Sequence, residues 1–194
     1  MSAVGKVVIG FSLPWVAKYT ESEGVVTYSN AMRLARGVSV SAETDSSDNN
    51  NFYADNIIAE SDAGTFSGGT VTLTVDGLFQ DAEKLIQGLQ AANTAGFLVY
   101  DDNQAAPYVG VGFVIKYMSE GVTYYTPVIF TKTRAGQLTI SAETQGESID
   151  WQAAEVPFSI FKDDTSAHAW KMVGGDLADE ASAEAAIKTF FNAA

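Results

Sequence analysis

The chain of 194 residues carries 24 acidic against 11 basic residues, a formal net charge of −13, and is 46% hydrophobic. That is enough apolar material for one domain with its own core. The absence of cysteine excludes disulfides and Cys-ligated zinc, and the acidic balance argues against a nucleic-acid grip, which needs clustered Lys or Arg to displace counterions. Most acidic proteins gain only solubility from such a charge, so the position of the acids matters more than their sum.

From the N-terminus, Val7 to Leu13 is a short strand-like run. With Lys6 as its single early base and Pro14 and Lys18 closing it, the segment does not read as a signal peptide. No stretch approaches about 20 apolar residues, so a membrane span is not expected. Beyond it, alternation with period two dominates. Val38, Val40 and Ala42 alternate with Ser39, Ser41 and Glu43; Val71, Leu73 and Val75 with Thr72 and Thr74; Leu138, Ile140 and Ala142 with Thr139, Ser141 and Glu143. Each pattern predicts a strand with one apolar and one wet face. Between them, Ala82, Leu85, Ile86 and Leu89 fall at helical spacing behind Asp81 and Glu83, acids that suit the positive end of a helix. Pro107 to Tyr117 and Tyr124 to Thr131 are strands by their Val, Ile, Tyr and Phe content, joined by a hairpin turn at Glu120-Gly121. Near the end, Ala183, Ile187, Phe190 and Phe191 form one helical stripe after Asp179, Glu180 and Ser182. Such a helix docks on its own domain or, less commonly, reaches a neighbour.

A short echo stands out. Val38 to Thr44 reads VSVSAET and Leu138 to Thr144 reads LTISAET. A polar loop follows each, Asp45 to Asn51 and Gln145 to Ser148, and an aromatic then reopens a strand, at Phe52-Tyr53 and at Trp151. The echo reads either as two like hairpins or as a chance likeness between strands of common residues. Acids gather in both units: Glu43, Asp45, Asp48, Asp55, Glu60 and Asp62 span twenty residues without a base, and Glu143, Glu147, Asp150, Glu155, Asp163 and Asp164 follow the second. Trp151 and Ala153 are odd-numbered while Val156, Phe158 and Ile160 are even, which predicts a bulge near Ala154. Pro157, lacking a donor, is expected at an edge or beside that bulge.

Chemistry is scarce. His168, in an expected strand from Ala167 to Val173, is the single histidine, so neither a His-based zinc site nor a Cys–His pair is available. The run from Asp45 to Asn51 places Asn50 and Asn56 where a calcium loop wants Gly and Glu. Gly68-Gly69 precedes a strand, not a helix, and no nucleophile elbow or phosphate loop occurs. No catalytic, cofactor or metal residues are assigned, and the chain is not read as an enzyme. Trp15, Trp151, Trp170 and the eight tyrosines leave a carbohydrate-binding sandwich for host recognition as the alternative function.

In order, the segments Gly24 to Thr44, Phe52 to Asn56, Ser67 to Leu78, Ala106 to Phe113 and Glu143 to Gln152 resemble those of the major tail proteins of long-tailed siphophages. The likeness runs from about Val7 to Phe161 and weakens beyond Asp163, so residues 163–194 form a C-terminal segment of less defined role within one domain, 1–194. The resemblance implies a mainly β fold: an antiparallel β-sandwich flanked by one α-helix, with long hairpins that pair between subunits and a short C-terminal helix. It also implies six copies in a ring and rings stacked into a hollow virion tube assembled in the host cytoplasm. The partners it implies are the chain itself, a tape-measure protein in the lumen, tail-tip and tail-terminator proteins, and DNA in transit. On that reading, Ser39, Ser41, Glu43, Thr139, Ser141 and Glu143 would face the lumen. Asp45, Asp48, Asn50, Ser61, Asp62, Gly64 and Glu147 would lie on ring-stacking or flexible loops; of the segments 45–51 and 61–69, ring stacking would order one.

Overall fold

The computed structural model describes residues 5–48, 50–91, 93–146, 149 and 151–193. Ten strands and two helices are described: β1 (Val7–Ser22), β2 (Val25–Arg33), β3 (Gly37–Ser46), β4 (Asn50–Ala54), β5 (Ile57–Asp62), β6 (Phe66–Val75), α1 (Gln80–Gln87), β7 (Tyr108–Ser119), β8 (Val122–Ala135), β9 (Ala154–Phe161), β10 (Lys171–Val173) and α2 (Glu180–Phe190). The architecture is therefore mainly β and antiparallel with two short helices. One sheet runs β2-β1-β7-β8-β9-β6-β3, with β10 on the far side of β8; β4 and β5 form a separate two-stranded ribbon.

The sheet curls until its halves face each other. Val71, Leu73 and Val75 of β6 and Val156, Phe158 and Ile160 of β9 share one buried cluster with Val109, Val111 and Phe113 of β7 and Val128 and Phe130 of β8. Helix α1 contributes Ala82 and Ile86 to this core, as their spacing predicts. Gln87, fully buried there, donates to the Gly136 carbonyl, so its burial leaves no unmet donor at that contact.

A second cluster explains why β7 reads as a nearly unbroken apolar run. Trp15, Ala17, Val114 and Ile129, on the opposite face of the same strands, are covered by Ala183, Ile187 and Phe191. Strands buried on both faces lose the alternation that a half-wet strand shows. Helix α2 starts where Asp179 accepts from the Ser182 N–H at 2.8 Å, a side-chain cap. It packs closely because Gly110 and Gly112 lie beneath it: a Cβ on Gly110 would sit 2.7 Å from the Phe191 ring, and one on Gly112 2.9 Å from Ile187 Cγ2. The helix thus docks on its own domain.

Turn chemistry follows local rules. Glu120 and Gly121 both have positive φ (50° and 79°), the left-handed pair of a tight hairpin turn. Asp55 and Asn56 (51° and 63°) do the same between β4 and β5. In β1 the register shifts between Ser12 and Trp15, so Pro14 stands at a bulge and the strand continues through it.

Several sequence expectations need correction. Leu138 to Thr144 forms no strand: β8 ends at Ala135, and residues 136–146 have no ladder partner among the described residues. An alternating sequence becomes a strand only where a neighbouring edge completes its hydrogen bonds. No bulge occurs near Ala154; β9 begins there and pairs with β6 in even register, so the odd-to-even change only marks where the strand starts. Pro157 lies on β9 between β8 and β6, not on an edge strand. Its carbonyl accepts from Gly136 N–H, and N and C=O of one residue share a side in a strand, so its missing donor faces the point where β8 leaves the ladder. His168 sits in a turn with φ of 48°, ahead of a strand limited to Lys171–Val173.

That turn is pinned to the sheet. The Lys132 ammonium lies 2.6 Å from Asp164 Oδ2, the Tyr19 hydroxyl donates to the same oxygen at 2.8 Å, and the Asp164 N–H donates back to Tyr19 Oη. Lys132 and then Tyr19 hold the Asp164 carboxyl below its ordinary value. The folded protein therefore holds this proton less tightly than the unfolded chain. The contribution is complete above the usual carboxylate pKa of about 4 and is lost as pH falls through the lower folded value. Thermal melts should show wild type above Asp164→Asn at pH 7, with the gap closing under acid; a gap constant down to the lowest pH would show that the carboxylate is not what pins the turn.

Candidate functional site

Where β3, β6 and β9 lie side by side, their outward residues make one wet face. Ser39 pairs with Thr74, Ser41 with Thr72 and Glu43 with Thr70. On the other flank, Thr74 pairs with Glu155 and Thr70 with Ser159, which pairs in turn with Arg134 of β8. Val40, Val71, Leu73 and Val156 point the other way, into or against the core. Short hydroxyl side chains thus pave the middle of the face, with Glu43 and Glu155 as its exposed acids and Arg134 as its base. The structure brings Ser39, Ser41 and Glu43 to this face as their alternation predicts. Sequence reasoning missed Thr70, Glu155, Ser159 and Arg134; the alternation of Glu155 and Ser159 against Val156, Phe158 and Ile160 was the available signal.

Thr139, Ser141 and Glu143 are exposed but do not join that ladder. Thr139 and Ser141, with Ile140, line a cleft of about 460 Å³ against Asp76, Gly77 and Glu155. Between β8 and β9 the described residues carry no helix or strand, over a connection that is long for a compact domain. It displays large apolar groups to solvent: Ile140 is 97% exposed and Trp151 84%.

The second projecting unit is the β4–β5 ribbon. Residues expected in the loop 45–51 are largely in strands: Asp45 is in β3 opposite Gly68, and Asn50 is in β4 opposite Asp62. Asp48 lies between β3 and β4. The expected loop 61–69 is likewise divided, with Ser61 and Asp62 ending β5 and β6 starting at Phe66. Ser61 donates to Asn51 Oδ1 at 2.6 Å, and Gly64 is half-buried in the short link. The first echo unit is thus not one hairpin: β3 returns through β6, and the segment between them folds into a ribbon of its own. Glu147, Ser148 and Asp150, from the second acidic unit, lie outside the described residues.

The aromatic platform of the alternative reading is not assembled from the three tryptophans. Trp15 is buried under α2, its indole N–H donating to Glu184. Trp170 stacks on Phe66 with centroids 4.2 Å apart, and Trp151 stands on the 136–153 segment. Among the described residues, no three His, Asp or Glu side chains gather as metal ligands, and no helix is long and apolar enough to cross a membrane. The chain matches no family model and no curated protein.

Proposed function

We propose that this chain is a structural tube-forming protein of a long-tailed phage virion, closing into rings, six-fold by the resemblance, that stack into the conduit for DNA around a tape-measure protein. The observation that carries the reading is the pair of unlike open edges. The sheet ends in β2 on one side and β3 on the other, each with one edge that has no partner strand among the described residues. Open edges invite pairing with another chain, and joining unlike edges gives a head-to-tail contact that closes into a ring or runs on as a filament. Exposed Ile140 and Trp151, between β8 and β9, and the β4–β5 ribbon supply further surface for such contacts.

The wet face of β3, β6 and β9 is the lumen wall in this reading. Duplex DNA carries one charge per about 1.7 Å of axis, and at physiological salt the repulsion from Glu43 and Glu155 reaches about 8 Å. The wall discourages sticking without blocking passage. Electron microscopy of the purified chain across a concentration series should reveal hollow tubes of stacked rings; monomers at every concentration, with or without a tail-tip nucleus, would overturn the reading. Tubes of the double variant Glu43→Lys, Glu155→Lys should retain duplex DNA in low salt where wild-type tubes release it. Equal release by both would remove these residues from the lumen.

A further inference from the structure

One base on the wet face is not answered by an acid. Arg134 is exposed and forms no ion pair with a described residue. Its guanidinium lies over the Tyr108 ring, 4.1 Å from the centroid, an arrangement that holds a planar cation in place and leaves its N–H edge free. The neighbours of that ring fix where it lies. Tyr108 belongs to β7, yet its ring meets that of Phe161 on β9 edge-on, with centroids 5.4 Å apart. The ring therefore leans across β8, and the guanidinium on it stands beside Ser159 of β9, the residue paired with Arg134.

Hydroxyl donors continue from Arg134 in one cross-strand row. Ser159 pairs with Thr70, and Thr70 with Glu43. Ser159 and Thr70 are exposed, and neither hydroxyl has a hydrogen-bond partner among the described residues. The acids of the face are too distant to answer the guanidinium. Adjacent strand backbones lie about 4.8 Å apart, which puts Glu43 and Asp45 of β3 about 14 Å from Arg134. Glu155 is four residues from Ser159 along β9, about 13 Å. Both distances exceed the roughly 8 Å over which charges are felt at physiological salt. Of the acids nearer by, Asp164 is neutralised by Lys132 at 2.6 Å, and Asp163 is buried with its carboxylate bonded to Thr165. Arg134 is thus a small positive island on an acidic wall.

We propose that Arg134, with the hydroxyls of Ser159 and Thr70, forms a site for one phosphate group, and that in the assembled tube this site meets single phosphates of the passing duplex. A guanidinium matches two phosphate oxygens with its fork, and the hydroxyls beside it donate to a third. One such contact per copy, with acids at both ends of the face, touches the duplex without gripping it. The phosphate site stands on the fold alone; its ligand, DNA, rests on the proposed function.

The test is a titration of the dilute full chain, read by nuclear magnetic resonance. Arg33, Arg36 and Arg134 are the three arginines of the chain, so each Nε–Hε signal can be followed, and Arg134→Lys identifies its own by its loss. Sodium phosphate, set against sodium chloride of equal ionic strength, should shift the Arg134 signal to saturation and leave that of the exposed Arg33 in place. Ser159→Ala should weaken phosphate binding at least about threefold. Arg134→Lys keeps the charge but loses the fork, and the amide signals of Ser159 and Thr70 should then report binding at least about fivefold weaker. A short duplex DNA at physiological salt should move the same Arg134 signal. Equal, unsaturating shifts of Arg33 and Arg134, or undiminished binding in both variants, would reduce the site to surface charge and overturn it. Saturation by phosphate without any response to the duplex would overturn DNA as the ligand. The titration needs no assembled protein: no phosphate binding leaves the tube reading intact, and phosphate binding by a chain that forms no tubes removes the tube reading and DNA with it.

Discussion

Phe191→Ala should destabilise the monomer by about 3–5 kcal/mol, the usual cost of truncating a buried aromatic, and lower the melting temperature by roughly 10 °C for a chain of this size. Phe191 is fully buried, its ring 5.1 Å from that of Tyr28 and 5.4 Å from that of Phe190. It closes the cluster formed with Trp15, Ala17, Val114 and Ile129. The two glycines of β7 that admit the helix leave no side chain able to fill the hole, so the cavity should persist and keep the loss at the high end. The loss should be the same at concentrations below and above assembly. A loss seen only in assembled protein would mean that α2 covers a neighbour's sheet, contrary to its packing here.

The second large effect concerns assembly. Replacing residues 139–151 with a short Gly/Ser linker should abolish association while leaving the monomer's melting temperature nearly unchanged. None of the described residues in the removed stretch belongs to either core cluster; Leu138, which packs against the main core, is retained. It does carry Ile140 and Trp151, whose large exposed apolar surfaces the monomer gains nothing from displaying. Wild-type association with the linker in place would remove the segment from the interface. A large fall in melting temperature would mean instead that it supports the monomer fold.

The contrast between the two echoed segments shows what can be read from residues alone. VSVSAET and LTISAET have the same alternation, and both read as strands. Val38 to Thr44 became one because Gly69 to Val75 of β6 offers it a ladder; Leu138 to Thr144 has no such edge among the described residues. Alternation specifies which side chains share a face. It does not say whether a partner strand exists, because that partner is supplied by distant residues or by another copy. The same ambiguity produced the misplaced bulge near Ala154 and the mistaken reading of Asp45 to Asn51 as a loop, where an Asp-Asn turn ten residues from Asp45 organises a ribbon instead.

Both helices, the hairpin turn at Glu120-Gly121 and the central strands were determined by the sequence itself, since each rests on local terms: apolar spacing, acids in the first turn of α1 and at the cap of α2, and turn residues that accept positive φ. The wet face of β3 was legible for the same reason. Tertiary structure alone decided that β9 separates β8 from β6, that Glu155, Ser159 and Arg134 extend the wet face, and that β7 is buried on both sides by the core and by α2. It alone left β2 and β3 as the open edges of the sheet. Strand order and edge exposure depend on pairings between residues far apart in the chain, where closing the loop costs entropy and only the summed burial of the whole core selects one arrangement.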